Sequence, residues 1–142
     1  MNNIININEL TNPYGDAGFS CTVQEAGYLN NFGAWVKCDD SKFIVRDDNG
    51  HPFKAVGNDY QLVNHTQAFE TAERIIKQSN IDTTDMIRDF KTSHDGARAF
   101  GFYRFPQHRE EVALNDTIEL QLLVRNSIDG SMRFAIEYGA LR

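Results

Sequence analysis

The chain has little that could cross-link it or hold it in a membrane. It contains two cysteines in 142 residues, Cys21 and Cys38, and they form no C-x-x-C pair, so free thiols are favoured over a disulfide framework. No apolar run approaches the roughly 18 residues of a membrane span, and residues 1–10 lack the basic start of a signal peptide. These absences predict a protein of a reducing cytoplasm that makes no membrane contact.

Positive charge is also in short supply. The net charge is −6 and the pI is about 5.1, which argues against indiscriminate adhesion to nucleic acid, because the phosphate backbone would repel the average surface. The charges are unevenly spread: residues 1–83 hold six Lys and Arg against eleven Asp and Glu, whereas residues 84–142 hold eight against nine. Any site for a polyanion is therefore expected in the second half.

The usual catalytic signatures are missing. The sequence has no phosphate-binding loop, no G-x-G-x-x-G, no G-x-S-x-G and no H-E-x-x-H. Adjacent acids at Asp39-Asp40 and Asp47-Asp48 are typical of solvated turns rather than cation sites. The four histidines are scattered, at His51, His65, His94 and His108. No catalytic residue, metal or cofactor is predicted, and a binding protein is favoured over an enzyme, although an enzyme whose site only the fold assembles stays open.

One long helix organises the rest of the chain. Asn64 is placed to cap it and Gln67, three residues later, to complete a capping box. Apolar residues then recur at the helical period and predict one buried stripe. The stripe consists of Ala68, Phe69, Ala72, Ile75 and Ile76.

The remaining chain predicts an arm followed by strands. Residues 1–31 show no sustained period, which predicts an irregular N-terminal arm with a short helical turn near residues 23–28, and residues 32–142 a single domain. Phe32–Cys38 and Lys42–Arg46 are expected to be two strands joined at residues 39–41, with a third from Pro52.

Two further hairpins follow the helix. The first pairs residues 86–91 with a strand from Ala97 to Phe105, which Pro106 ends before a charged loop at residues 107–111. The second begins where Ile118, Leu120, Leu122 and Val124 alternate with mainly polar residues, and resumes at Met132. The sum is an α+β fold, a mostly antiparallel sheet of about seven strands with a meander, one main helix and two hairpins.

The most suggestive stretch runs from Arg98 to Phe105. It resembles the aromatic octamer of RNA-recognition motifs, and departs from it at Ala99 and Tyr103. Because side chains alternate along a strand, Arg98, Phe100, Phe102 and Arg104 share one face, where rings could stack on bases and cations meet phosphates. Two placements are open: the rings pack under the helix, or they form an exposed platform aided by Lys91, His108 and Arg109.

A resemblance extends from Phe32 to the end. It rests on short segments in a common order: Val56-Gly57, Tyr60, Val63-Asn64, Ala68-Phe69, Gly96-Ala97-Arg98, Asp116 and the run Asn126-Ser127-Ile128-Asp129-Gly130-Ser131. The chain thereby resembles the phage/plasmid-like protein family of unknown function, domain of unknown function 932. That family favours histidine where Ile128 stands, which weakens any catalytic or metal role there. Its members usually continue past Arg142, so a short natural form and a truncated form are both open.

The resemblance implies a phage or plasmid protein in the cytoplasm of a bacterial host. Two functions follow as expectations. The first is non-enzymatic handling of nucleic acid, such as single-stranded DNA binding or annealing in recombination, through Arg98, Phe100, Phe102, Arg104, Lys91, His108 and Arg109. The alternative is an acidic module that binds and inhibits a host defence or nucleic-acid-processing complex. A homo-oligomer formed through a sheet edge is left open.

Overall fold

The computed structural model describes residues 12–141, which contain seven strands in two antiparallel sheets and one α-helix. The predicted α+β class is confirmed, with the strands divided between two sheets. In chain order the elements are β1 Cys21–Leu29, β2 Trp35–Arg46, β3 Pro52–Val56, α1 His65–Gln78, β4 Ile87–Ser93, β5 Arg98–Ala113, β6 Asp116–Ser127 and β7 Ala135–Leu141. Single 3-10 turns lie at Gly15–Ala17 and His94–Gly96.

The smaller sheet has the order β1-β2-β3. The expected division of β2 into two strands is wrong, because the strand is continuous from Trp35 to Arg46. Its pairing with β1 shifts register between Glu25 and Gly27, so residues 38–41 form a bulge opposite a single residue of β1. The acidic residues Asp39 and Asp40 thus lie in a bulge and do not end the strand.

The N-terminal arm was predicted to be irregular, and this is wrong for residues 21–29. They form β1 and pair with β2, so the expected helical turn near residues 23–28 is also wrong. Only Cys21 and Ala26 of this strand are buried, and the bulge shifts its period, so no alternating pattern marks it in the sequence. The arm's residues 1–11 lie outside the described residues.

The larger sheet has the order β4-β5-β6-β7. Strand β5 runs through Pro106 to Ala113, so the expected stop at Pro106 and the expected loop at residues 107–111 are both wrong. Pairing with β6 passes from Phe105–Leu120 to Arg109–Glu119, which places residues 106–108 in a bulge. A bulge tolerates proline because the missing N–H has no ladder partner there.

Helix α1 begins as the sequence predicts. The capping box is formed, and the backbone N–H of Asn64 donates a hydrogen bond to Gln67 Oε1 at 2.9 Å. Four residues of the predicted stripe are buried, but Ile75 is 43% exposed. No helix within residues 12–141 is long and apolar enough to cross a membrane.

The helix packs on one face of the larger sheet. Its Phe69, Ala72 and Ile76 enter a core with inward residues of β5 and β6, namely Ala99, Tyr103, Phe105, Leu122 and Val124. Gly101 makes room for the Phe69 ring, because a Cβ there would stand 2.8 Å from it. A second core, beneath the smaller sheet, includes Ile44, Val56 and Ile128, and Ile128 directly follows the last residue of β6.

Candidate functional site

The two faces of β5 differ in what covers them. Its odd-numbered residues from Ala99 to Phe105 are buried toward α1. The intervening residues are half-buried on the opposite side of the sheet, hereafter the outward face: Arg98, Phe100, Phe102 and Arg104. The interpretation that Phe100 and Phe102 pack under the helix is therefore wrong. The Phe69 ring of the helix lies against Gly101, on the side of β5 opposite Phe100 and Phe102.

Neighbouring strands surround the two rings with charge. Lys91 of β4 and Arg125 of β6 lie directly opposite Phe100, one on each side. Residues opposite each other in an antiparallel pair share a face, so all three belong to the outward face. The Lys91 Nζ atom also lies 5.7 Å from the centroid of the Phe102 ring. Phe100 is thus an aromatic ring between two cations.

The row through Phe102 is different. Asp89 and Leu123 lie opposite Phe102 on either side, and Glu137 of β7 follows Leu123. A depression of about 220 Å³ opens beside the ring. It is lined by Phe102, Gln121, Leu123, Glu137, Tyr138 and Gly139. This part of the face is therefore apolar at its centre and acidic at its margins.

One carboxylate holds the two arginines at the far end of the outward face. Glu119 contacts Arg104 Nε at 3.2 Å and Arg109 Nη2 at 3.4 Å. The Glu119 side chain is 8% exposed, so its charge is neutralised by arginines that remain largely in solvent. A buried carboxylate loses hydration and needs such partners. Arg104 and Arg109 therefore serve the fold as well as the surface.

At the end of the outward face that includes Arg98, the cations are less tightly held by carboxylates. Arg125 pairs with Glu137 at 2.7 Å and Lys91 with Asp89 at 3.7 Å; Lys91 and Asp89 are largely exposed, whereas the Arg125 side chain is 38% exposed. Arg98 forms no ion pair within residues 12–141. Its Nε donates to Ser131 Oγ at 2.9 Å instead.

His108 is the predicted site residue that the fold separates from the others. It lies in the bulge of β5, where its Nε2 accepts a hydrogen bond from the Asp82 amide at 2.6 Å and its ring meets inward-facing Phe105 edge to face. These partners lie on the helix side of the sheet. Six of the seven predicted residues thus share the outward face, and His108 does not.

A buried polar network, which sequence reasoning missed, joins three segments behind the site. His65 is fully buried; its Nε2 lies 2.7 Å from the Gly96 carbonyl and its Nδ1 lies 3.1 Å from Asn126 Nδ2. The pattern fits a neutral ring that donates from Nε2 and accepts at Nδ1. Asn126 Nδ2 also donates to the Val63 carbonyl at 3.0 Å. The first residue of the Asn126–Ser131 run therefore has a structural role.

Burial makes His65 sensitive to acid. Desolvation lowers the pKa of His65 below the ordinary 6.5. This effect outweighs the hydrogen bond to Gly96, which favours the charged form. The unfolded chain therefore binds a proton more readily than the folded chain does. The contribution of the neutral His65 ring to the free energy of unfolding is complete above about pH 6.5 and falls as the pH drops below it, by at most about 1.4 kcal/mol per pH unit. Urea titrations from pH 7 to pH 5 should show this loss.

The matched variants for that measurement are His65→Gln and His51→Gln. The first removes the buried imidazole, and the second removes a histidine at the rim of a surface cleft. We expect His65→Gln to be less stable at pH 7 but to lose less of its remaining stability on acidification, and His51→Gln to follow the parent chain. An unchanged pH dependence in His65→Gln would contradict this assignment.

A polar cleft of about 650 Å³ lies where the smaller sheet meets the turn at residues 94–96. Arg46 lies 3.8 Å above the Phe19 ring and donates two hydrogen bonds to Asp48, at 2.6 and 2.9 Å. These hydrogen bonds lower the pKa of Asp48. Within residues 12–141 no three His, Cys, Asp or Glu side chains are gathered to hold a metal ion. The arginine that lines the cleft, Arg46, is thus paired with Asp48.

Comparison with known proteins gives one finding. A family model described as "Domain of unknown function (DUF932)" matches residues 52–142, which include β3, α1 and the whole of the larger sheet. No curated protein and no solved structure matches the chain. The outward face thus lies entirely inside the matched region.

Proposed function

This chain belongs to the family of the domain of unknown function DUF932, and we propose that it binds single-stranded nucleic acid through the outward face of its larger sheet. The observation that carries the proposal is the position of Phe100 and Phe102. Both rings are half-buried on a face that α1 leaves uncovered, and cations flank the first of them. Both rings stand on a strand that is paired with a neighbour on each side, which fixes their positions.

Base stacking is the interaction that favours single strands over a duplex. A base stacked on an aromatic side chain contributes about 1–3 kcal/mol, and unpaired bases expose the faces that such stacking needs. In a duplex those faces are already stacked on neighbouring bases. Lys91, Arg98 and Arg125 stand beside the rings to receive phosphates, which adds a salt-dependent contribution. The depression beside Phe102 gives a second base room at the same face.

The biological setting is part of the same proposal. The resemblance stated above implies a phage or plasmid protein, for which single-stranded DNA binding or annealing during recombination is the natural use of such a face. The protein would act in the cytoplasm of the bacterial host and would need no cofactor.

The alternative function, inhibition of a host complex through acidic turns, has less support. Asp48 is committed to Arg46 and Asp47 accepts a hydrogen bond from Thr22 at 2.9 Å. Asp39 and Asp40 lie in the bulge of β2 rather than in a turn. The acidic pairs are thus partly engaged or built into a strand, which leaves less free charge for a basic partner.

The direct test is a titration of the protein into a fluorescein-labelled oligothymidylate, followed by anisotropy across a salt series. We expect micromolar or tighter binding at low salt, with log K falling by about 0.7 per phosphate contacted for each decade of salt. The control is the same oligonucleotide annealed to its complement. A purely electrostatic surface would bind the duplex at least as well, because the duplex carries more charge. No single-strand binding, or a preference for duplex, would refute the proposal.

A further inference from the structure

The cations of the outward face are not equivalent. Arg104 and Arg109 share Glu119, Arg125 pairs with Glu137, and Lys91 pairs with Asp89. A phosphate that approaches any of these must compete with a carboxylate already in contact, so the net gain is small. Among the outward-face cations within residues 12–141, Arg98 is the exception, since its one side-chain hydrogen bond goes to a neutral hydroxyl.

The surroundings of Arg98 also suit an anion. Its cross-strand neighbours are Ser93 and Ser127, so its row on the sheet carries no acidic side chain. The Ser131 hydroxyl holds Nε, and the Ser131 amide donates to Asp129 Oδ1 at 3.0 Å, which fixes the loop that presents that hydroxyl. The two terminal nitrogens of the guanidinium make no hydrogen bond within residues 12–141. A guanidinium held by its Nε alone keeps both terminal groups for bidentate contact with a phosphate.

Arg98 also lies close to the first of the two rings. Arg98 precedes Phe100 by two residues on the same face, roughly 7 Å along the strand. A chain whose base stacks on Phe100 therefore brings an adjoining phosphate within reach of Arg98. At the opposite end of the outward face, the buried carboxylate of Glu119 pairs with Arg104 and reduces the positive charge available to a phosphate.

We propose that Arg98 is the phosphate anchor of the outward face, so that a single strand binds in one register, with a phosphate on Arg98 and the adjoining base on Phe100. This inference rests on the proposed function and adds to it which end of the face holds the backbone. Arg104 and Arg109 stay with Glu119, and the exposed pairs of Lys91 and Arg125 contribute only after their carboxylates are displaced.

The test compares Arg98→Gln with Arg104→Gln in the oligothymidylate titration across salt. We expect Arg98→Gln to weaken binding and to reduce the slope of log K against log salt by about 0.7, the value for one phosphate of a single strand. Arg104→Gln should change the slope clearly less, because Arg104 already forms an ion pair with Glu119. Lys77→Gln, on the exposed side of α1, is the control that should leave both affinity and slope unchanged.

The salt slope separates a phosphate contact from a merely structural role, since a local loss of order has no reason to lower the slope by the value of one phosphate contact. An equal or larger slope change in Arg104→Gln would overturn the anchor while leaving the proposed function standing, provided that the parent chain binds. A parent chain that binds no oligothymidylate at low salt would overturn both. Circular dichroism of each variant confirms that the comparison is made between folded proteins.

Discussion

Replacing Phe69 by alanine is expected to destabilise the protein by about 3–5 kcal/mol, as large-to-small changes of buried aromatic residues do. The ring is fully buried, 4.9 Å from the Phe90 ring and 5.5 Å from that of Tyr14, and it rests over Gly101. Its removal leaves a cavity between α1 and the sheet that rigid strands cannot close. Single domains have about 5–15 kcal/mol of stability in all, so the variant should unfold at much lower urea.

Ile75→Ala is the matched control on the same helix. The sequence assigned both residues to the buried stripe, but Ile75 is 43% exposed and lies outside the core. We expect a change within about 1 kcal/mol, as at surface positions. Equal losses of stability in the two variants would mean that α1 does not dock on the sheet through Phe69.

The second large effect concerns binding. The double variant Phe100→Ala/Phe102→Ala removes both stacking rings, and at about 1–3 kcal/mol per base it should lose at least about 30-fold in affinity for oligothymidylate. The rings lie outside both cores, so the variant should stay folded. Phe43→Ala is the control, because Phe43 is a partly exposed ring on β2 of the other sheet.

Two results would count against the stacking role. Unchanged affinity in the folded double variant would assign any binding to charge alone. A comparable loss in Phe43→Ala would point to a surface that is generally sticky toward bases. Circular dichroism and a urea titration of each variant are needed beside the binding curves, because an unfolded variant would imitate the predicted loss.

Local signals in the sequence were enough for α1 and for β6. The helix follows from the Asn64 cap and a five-residue stripe at the helical period, of which four residues are buried, and β6 follows from the alternation that begins at Ile118. Both patterns arise because the element buries one face against the core. The fold class follows from their order along the chain.

Bulges explain the elements that the sequence did not reveal. In β1 the register shift between Glu25 and Gly27 breaks the two-residue period, and in β5 the shift after Phe105 hides a strand that continues past Pro106. A bulge depends on how a strand pairs with its partner, so it cannot be predicted from the sequence of one strand alone. Turn-forming residues in a bulge therefore imitate the end of a strand.

The orientation of β5 was the decisive ambiguity for the candidate site. Both of its faces carry aromatic residues, so hydrophobicity alone cannot choose between them. The deciding feature is size: Phe69 needs a small residue beneath it, and Gly101 provides that space on the face opposite Phe100 and Phe102. The signal was present in Ala99 and Gly101, but its use requires knowing that Phe69 packs there. The His65 network is likewise invisible locally, because its partners Gly96 and Asn126 lie 31 and 61 residues away.

The measurement that tests the central claim most directly is an NMR titration of the aromatic side chains with oligothymidylate. We expect ring resonances of Phe100 and Phe102 to shift upfield as bases stack on them, while those of the buried Phe69 stay in place. Saturable shifts confined to the outward face would support single-strand binding there. Binding that leaves Phe100 and Phe102 unperturbed while it shifts rings of the smaller sheet would contradict it.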